Sequence, residues 1–144
     1  MKLNPDCVRT LVLFIEEHTY VSGVSESGGK FHKLSPQCMI QVEPVCSYDA
    51  DEVLYTLIQL SESGYIVTDF SLIKNSETDD FLFGHIYYLT PKGHEFASGV
   101  RRPERWNKIK AVIKPIGDIS LSALTAIAQG VTEGIISNAL SLPQ

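Results

Sequence analysis

Cations are nearly missing from the middle of this sequence. Between positions 35 and 90 nine carboxylates face Lys74 alone, a net −8, whereas residues 1–34 hold four charges of each sign. Residues 91–144 carry seven bases and four acids, a net +3, and the whole chain is −5. Such asymmetry speaks about partners: a phosphate backbone is repelled by the middle block and tolerated by the last. Cysteine is scarce too. Three residues, Cys7, Cys38 and Cys46, are an odd number without metal-ligand spacing, which argues against a disulfide-built secreted scaffold. Buried, inert thiols are the expectation. No stretch of about 18 uncharged apolar residues suggests a membrane span. No apolar run follows the basic start Met1-Lys2, so a signal peptide is not expected and a cytoplasmic setting is. With 44% hydrophobic and 20% charged residues over 144 positions, the chain is too apolar for disorder and sized for about one domain.

Helix signals are clear at several places. Asn4, Pro5 and Asp6 supply a cap, a first-turn proline and a first-turn acid ahead of Val8, Leu11, Val12 and Ile15, a helix ending near Glu17 or His18. Asp49 and Glu52 form a capping-box pair before Val53, Leu54, Leu57, Ile58 and Leu60, with Gly64 placed as terminator; this predicts a helix over roughly 49–63. Residues 19–36 are rich in Ser and Gly, and Ser22–Lys30 predicts a mobile loop; Cys38–Val42 predicts a short strand stopped by Pro44. Tyr65–Ile73 and Phe81–Leu89 read as a β-hairpin around the polar turn Lys74–Asp80. Thr90-Pro91 opens a helix bearing Phe96 and Val100, and Pro103 opens another bearing Trp106, Ile109, Ile113 and Ile116, closed by Gly117. A last helix over about Ile119–Leu140 sets Leu121, Leu124, Ala128, Val131 and Ile135 on one side.

This order predicts an α+β fold: a winged helix-turn-helix-like core over 1–100 with the hairpin as wing, then a C-terminal helical hairpin over 101–144 that packs on the core or dimerises. One part of the plan is hard to find, the first helix of the helix-turn-helix, because residues 19–46 hold turn formers and a strand. Met1-Lys2-Leu3-Asn4-Pro5-Asp6-Cys7-Val8-Arg9, Glu52-Val53-Leu54-Tyr55 with Leu60 and Gly64-Tyr65-Ile66, Leu89-Thr90-Pro91-Lys92-Gly93-His94-Glu95-Phe96, Trp106-Asn107-Lys108-Ile109-Lys110 and Ser120-Leu121-Ser122 together resemble an uncharacterised bacterial and phage family, domain of unknown function 2513. The resemblance implies a winged-helix-like fold and a phage or prophage setting. It implies no activity, and it lends no catalytic or binding residues.

The residues themselves give little catalytic chemistry. His18, His32, His85 and His94 are scattered, without the convergent spacing a zinc ion needs. Gly23, Gly28, Gly29 and Lys30 miss the phosphate-loop pattern, with Phe31 where Ser or Thr belongs. Neither a metal nor a cofactor is expected. An enzyme built on His94, Glu95 or a cysteine is the weakest reading. The predicted recognition helix has no Lys or Arg from Asp49 to Ser63, although Tyr55, Thr56 and Gln59 have groups able to touch bases. Asp49, Asp51, Glu52 and Glu62, with Glu77, Asp79 and Asp80 on the wing, therefore predict an acidic surface that grips a protein partner's basic surface. That partner would be a host nucleic-acid-handling or defence machine inhibited by a non-enzymatic phage-type accessory protein. The alternative is a transcriptional regulator whose Arg101, Arg102, Arg105, Lys108, Lys110 and Lys114 meet DNA. Gly130-x-x-x-Gly134 interrupts the last helix and allows a homodimer there as well as simple packing.

Overall fold

The computed structural model describes residues 1–74, 79–82 and 84–141, excepting the side chains of 72–74, 79–82 and 135–141. The first helix, α1 (Pro5–His18), starts where the sequence says it should: Asn4 Oδ1 accepts the amides of Asp6 (3.0 Å) and Cys7 (3.4 Å). Cys7, Val8, Leu11, Val12, Phe14 and Ile15 then turn one broad stripe into the core.

The segment Ser22–Lys30 is not a mobile loop. It lies within a hairpin, β1 (Tyr20–Ser25) against β2 (Gly28–His32), with Val21 opposite Phe31 and Tyr20 opposite His32. The serines and glycines that suggested mobility sit at the turn and at a register shift between Ser22 and Ser25, where Gly23 has φ +65° and Gly28 φ +124°. Between them the β-branched and aromatic residues pair across the ladder. The expected strand at 38–42 is also absent. Pro36 opens the short helix α2 (Pro36–Met39), followed by a 3₁₀ turn at Val45–Ser47. Pro36 and Met39, three apart, are both buried while Cys38 and Val42 are exposed, so the apolar run follows a helical period and not an alternating one. Cys7 is buried as expected, but Cys38 and Cys46 are exposed, because α2 and the 3₁₀ turn direct them outward.

Helix α3 (Ala50–Glu62) is capped by Asp49, which accepts the Asp51 amide, and ends at Gly64 with φ +79° and a Tyr65 amide bond to the Leu60 carbonyl (2.9 Å). The long hairpin is made of two antiparallel ladders: β3 (Ile66–Thr68) pairs with β6 (Ile86–Leu89), and β4 (Ser71–Lys74) with β5 (Asp79–Leu82). Leu34 adds an antiparallel bridge to Ile86, with both amide-to-carbonyl bonds at 2.9 Å. Of the polar turn predicted at 74–80, residues 75–78 and hence Glu77 lie outside the described residues.

Helix α4 (Pro91–Val100) is capped by Thr90, whose hydroxyl accepts the Gly93 amide (3.1 Å) and donates to the Gly64 carbonyl (2.6 Å). Helix α5 (Pro103–Ile113) buries Trp106, Ile109 and Ile113 but stops short of Ile116. Ile116 is exposed, because the chain leaves the helix before Gly117, φ +84°. Helix α6 (Leu121–Ser141) begins two residues later than predicted and buries Leu121, Leu124 and Ala128; the Ile135 side chain lies outside the described residues. Buried residues from α1 through α6 form one hydrophobic cluster, so α5 and the first half of α6 share the core of the preceding elements. The fold is mixed α+β.

Candidate interaction surface

Helix α3 supplies the surface that the sequence singles out. Val53, Thr56, Leu57 and Leu60 fill its inward stripe. Asp51, Tyr55, Ile58 and Glu62, spaced by four, three and four, occupy the opposite side. Leu54 and Ile58, although apolar, are only half-buried. Asp49, Asp51 and Glu52 crowd the first turn and Glu62 lies in the last, roughly 15 Å away at the rise of an α-helix. The helix thus presents two acidic ends with an apolar middle, and Asp79 and Asp80 open β5 of the hairpin. Periodicity alone holds the signal for that apolar middle: five large apolar residues in 53–60 exceed what one buried stripe accommodates.

Tyr55 and Gln59 line a cleft of about 370 Å³ with Met1, Lys2, Leu3 and residues 118–121, closed on one side by the Lys2–Asp118 ion pair (3.2 Å). The two side chains best suited to touch bases therefore face the chain's own N-terminal residues and the link into α6.

At the hairpin's base, where the two ladders separate, the Asp69 carboxylate accepts the His85 amide and the Tyr87 hydroxyl (2.9 Å) and lies 4.0 Å from the His85 ring. These bonds hold Asp69 below its ordinary carboxylate range, and the same bond pushes the Tyr87 phenol up. Gly84 makes room for the arrangement, since a Cβ there would collide with the Asp69 carboxylate. Nothing in the sequence pattern points to this clamp, because its partners lie 16 and 18 residues apart.

The basic segment does not act as one cluster. Arg101 is paired with Glu16, and Lys110 with Asp6 (3.1 Å), both on α1. Asp6 also accepts the Trp106 indole N–H (3.0 Å), and Arg9 donates to the Val100 (2.7 Å) and Arg101 (3.0 Å) carbonyls, so α1, α4 and α5 are cross-tied. Arg105 and Lys108 lie on α5, with Arg102 at its N-cap and Lys114 at its C-cap. Arg105 is half-buried beside a groove of about 500 Å³ between α4 and α6, whose walls include Lys92, Glu95, Thr125 and Glu133. His94 lies 3.5 Å from Glu16, and Glu95 accepts from Gln129 (3.0 Å). Burial lifts the Cys7 thiol to about 11, and the Glu43 carboxylate raises that of Cys46, so both hold less thiolate than a free cysteine. Among the described residues no three His, Cys, Asp or Glu side chains gather as a metal site, and no helix is long and apolar enough to cross a membrane.

A mixed α+β chain with a capped acidic helix, a long hairpin and a helical C-terminal part is what these observations define. It belongs to the family described as Hypothetical protein (DUF2513), whose model matches residues 2–118 and so ends just before α6. Neither the curated proteins nor the solved structures contain a match.

Proposed function

We propose that the chain is a non-enzymatic, phage-type accessory protein on a winged-helix frame that binds the basic surface of a protein partner through α3 and the hairpin. The frame reading is supported by element order. The Leu34 bridge to Ile86 stands where the strand between the first two helices of a winged helix pairs with the wing, and α2 stands where the missing helix belongs. The observation that carries the partner reading is the outward side of α3: Asp51 and Glu62 bracket the half-buried Ile58, with no Lys or Arg from 49 to 63. A duplex binder making about 6–10 phosphate contacts needs that many cations, and this helix offers none. An apolar centre between carboxylates instead suits a basic protein surface with an apolar anchor. A partner that normally holds nucleic acid fits this chemistry, and inhibition of such a machine is the biological role we infer.

The test is a pull-down from bacterial lysate at physiological salt with the wild type, with Ile58→Lys plus Glu62→Lys, and with Asp79→Lys plus Asp80→Lys. One dominant basic-surfaced protein, lost with the variants, supports the reading; recovery of nothing, or of the same protein by every variant, refutes it. A second reading, DNA contact through α5, is favoured by Arg102 at its N-cap together with Arg105 and Lys108 on the helix. It requires duplex binding that weakens steeply with salt and disappears in Arg102→Glu plus Arg105→Glu.

A further inference from the structure

The β1–β2 hairpin presents large apolar side chains to solvent. Val24 is 80% exposed, Val21 54%, Phe31 47% and, on β6, Tyr88 41%. They make one strip. A Cβ on Gly29 would lie 3.3 Å from a Val21 methyl and 3.5 Å from a Val24 methyl, so both valines lean over that glycine on one face. Phe31, across from Val21, shares the face and carries the strip onto the body, stacked on Tyr88 (5.6 Å) and edge-on to Tyr87 (5.7 Å). Lys33 continues the same parity, its ammonium 5.7 Å from the Tyr87 ring centre. Among the described residues β1 and β2 pair only with each other, and a lone two-stranded ribbon is marginal in water.

Along the hairpin the exposed Glu26 stands at the turn, followed toward the body by Val24, by Val21 and Phe31, and then by Lys33 at the base. A surface that is negative at one end, apolar in the middle and positive at the other is complementary to itself after a half-turn. We infer that a second copy of this chain covers it: two arms pack face to face and antiparallel about a two-fold axis, valines and Phe31 against their counterparts. Glu26 of each copy then meets Lys33 of the other. Such an interface is isologous and closed. This places the dimer contact on the arm instead of on α6.

Sedimentation or light scattering of the full chain tests this. The wild type is expected at twice 16.0 kDa. Val21→Lys with Val24→Lys is expected at the single-chain mass with an unchanged far-UV circular dichroism spectrum, since both side chains point into solvent. Glu26→Lys alone and Lys33→Glu alone each weaken dimerisation by about threefold to tenfold, as exposed ion pairs turned to repulsion do. Combining the two restores it, because the exchanged charges pair again. A monomeric wild type, a dimer that survives the valine double substitution, or a charge exchange that fails to restore association overturns the proposal.

Discussion

Gly93 is the position where the fold tolerates least. It is buried in the first turn of α4, against the strand that leaves α3. A Cβ there would fall inside contact distance of the Tyr65 carbonyl oxygen, with the Tyr65 carbonyl carbon at 3.2 Å and Leu89 Cβ at 3.3 Å. The obstacle is backbone, so no side-chain rotation relieves it. The same carbonyl accepts the Thr90 amide (3.0 Å), and Thr90 caps the helix, so a shift of α4 strains the junction between α3, β6 and α4 together. Overpacking of this kind costs about 1–3 kcal/mol, at the upper end where backbone must move. Replacing glycine by alanine in a helix returns at most about 1 kcal/mol. Gly93→Ala should therefore destabilise by about 2 kcal/mol, a fall in Tm of about 4–8 °C for a domain of this size. Gly130→Ala is the control: nothing lies within 4 Å of the added carbon, and a gain of about 0.5–1 kcal/mol is expected. Denaturant titration of both variants measures the two signs. A neutral or stabilising Gly93→Ala would refute the packing of α4 on the end of α3.

Four further outcomes follow from specific contacts. Asp6→Ala removes the acceptor of the Trp106 indole and the partner of Lys110, and should cost about 1–2 kcal/mol by chemical denaturation. Thiol titration of the native chain near pH 8 should label Cys38 fastest, Cys46 more slowly, and buried Cys7 only on unfolding. Because the Cys7 pKa is higher folded than unfolded, its contribution is complete below its ordinary 9.0 and is lost as pH rises through about 11; Cys7→Ser should flatten that alkaline decline. Asp69→Ala removes the acceptor that raises the Tyr87 phenol, so spectrophotometric titration should show that phenol ionising at lower pH; an unmoved titration would remove the clamp.

Residues with local signals were legible in the sequence. Asn4, Asp49 and Thr90 cap the helices they precede, and Gly64 ends α3, because a capping bond spans only a few residues and leaves its mark at fixed spacing. What composition concealed was the arm: Ser and Gly outnumber Val and Phe in 20–32, yet the glycines serve the turn and bulge while the larger residues form the ladder. The strand assigned to 38–42 failed for a similar reason, since five apolar or neutral residues do not separate alternation from one turn of helix until Pro36 is read as the first helical residue. Of the candidate surface, the absence of cations on α3 was readable. The splitting of the basic segment by Glu16 and Asp6 was not, because those pairs join residues 85 and 104 positions apart. Which of the apolar residues of α3 stay half-buried, Leu54 and Ile58 among them, was not legible, because capacity for burial depends on how many neighbours α3 meets, and only the packed fold decides that.

The decisive experiment is an amide chemical-shift map of the labelled chain titrated with short duplex DNA at low salt. An α3 face closed to phosphate predicts that amides of residues 51–62 stay in place, with any movement confined to 101–114. Shifts concentrated at Tyr55, Gln59 and the β3–β6 hairpin would contradict that and hand the surface to nucleic acid.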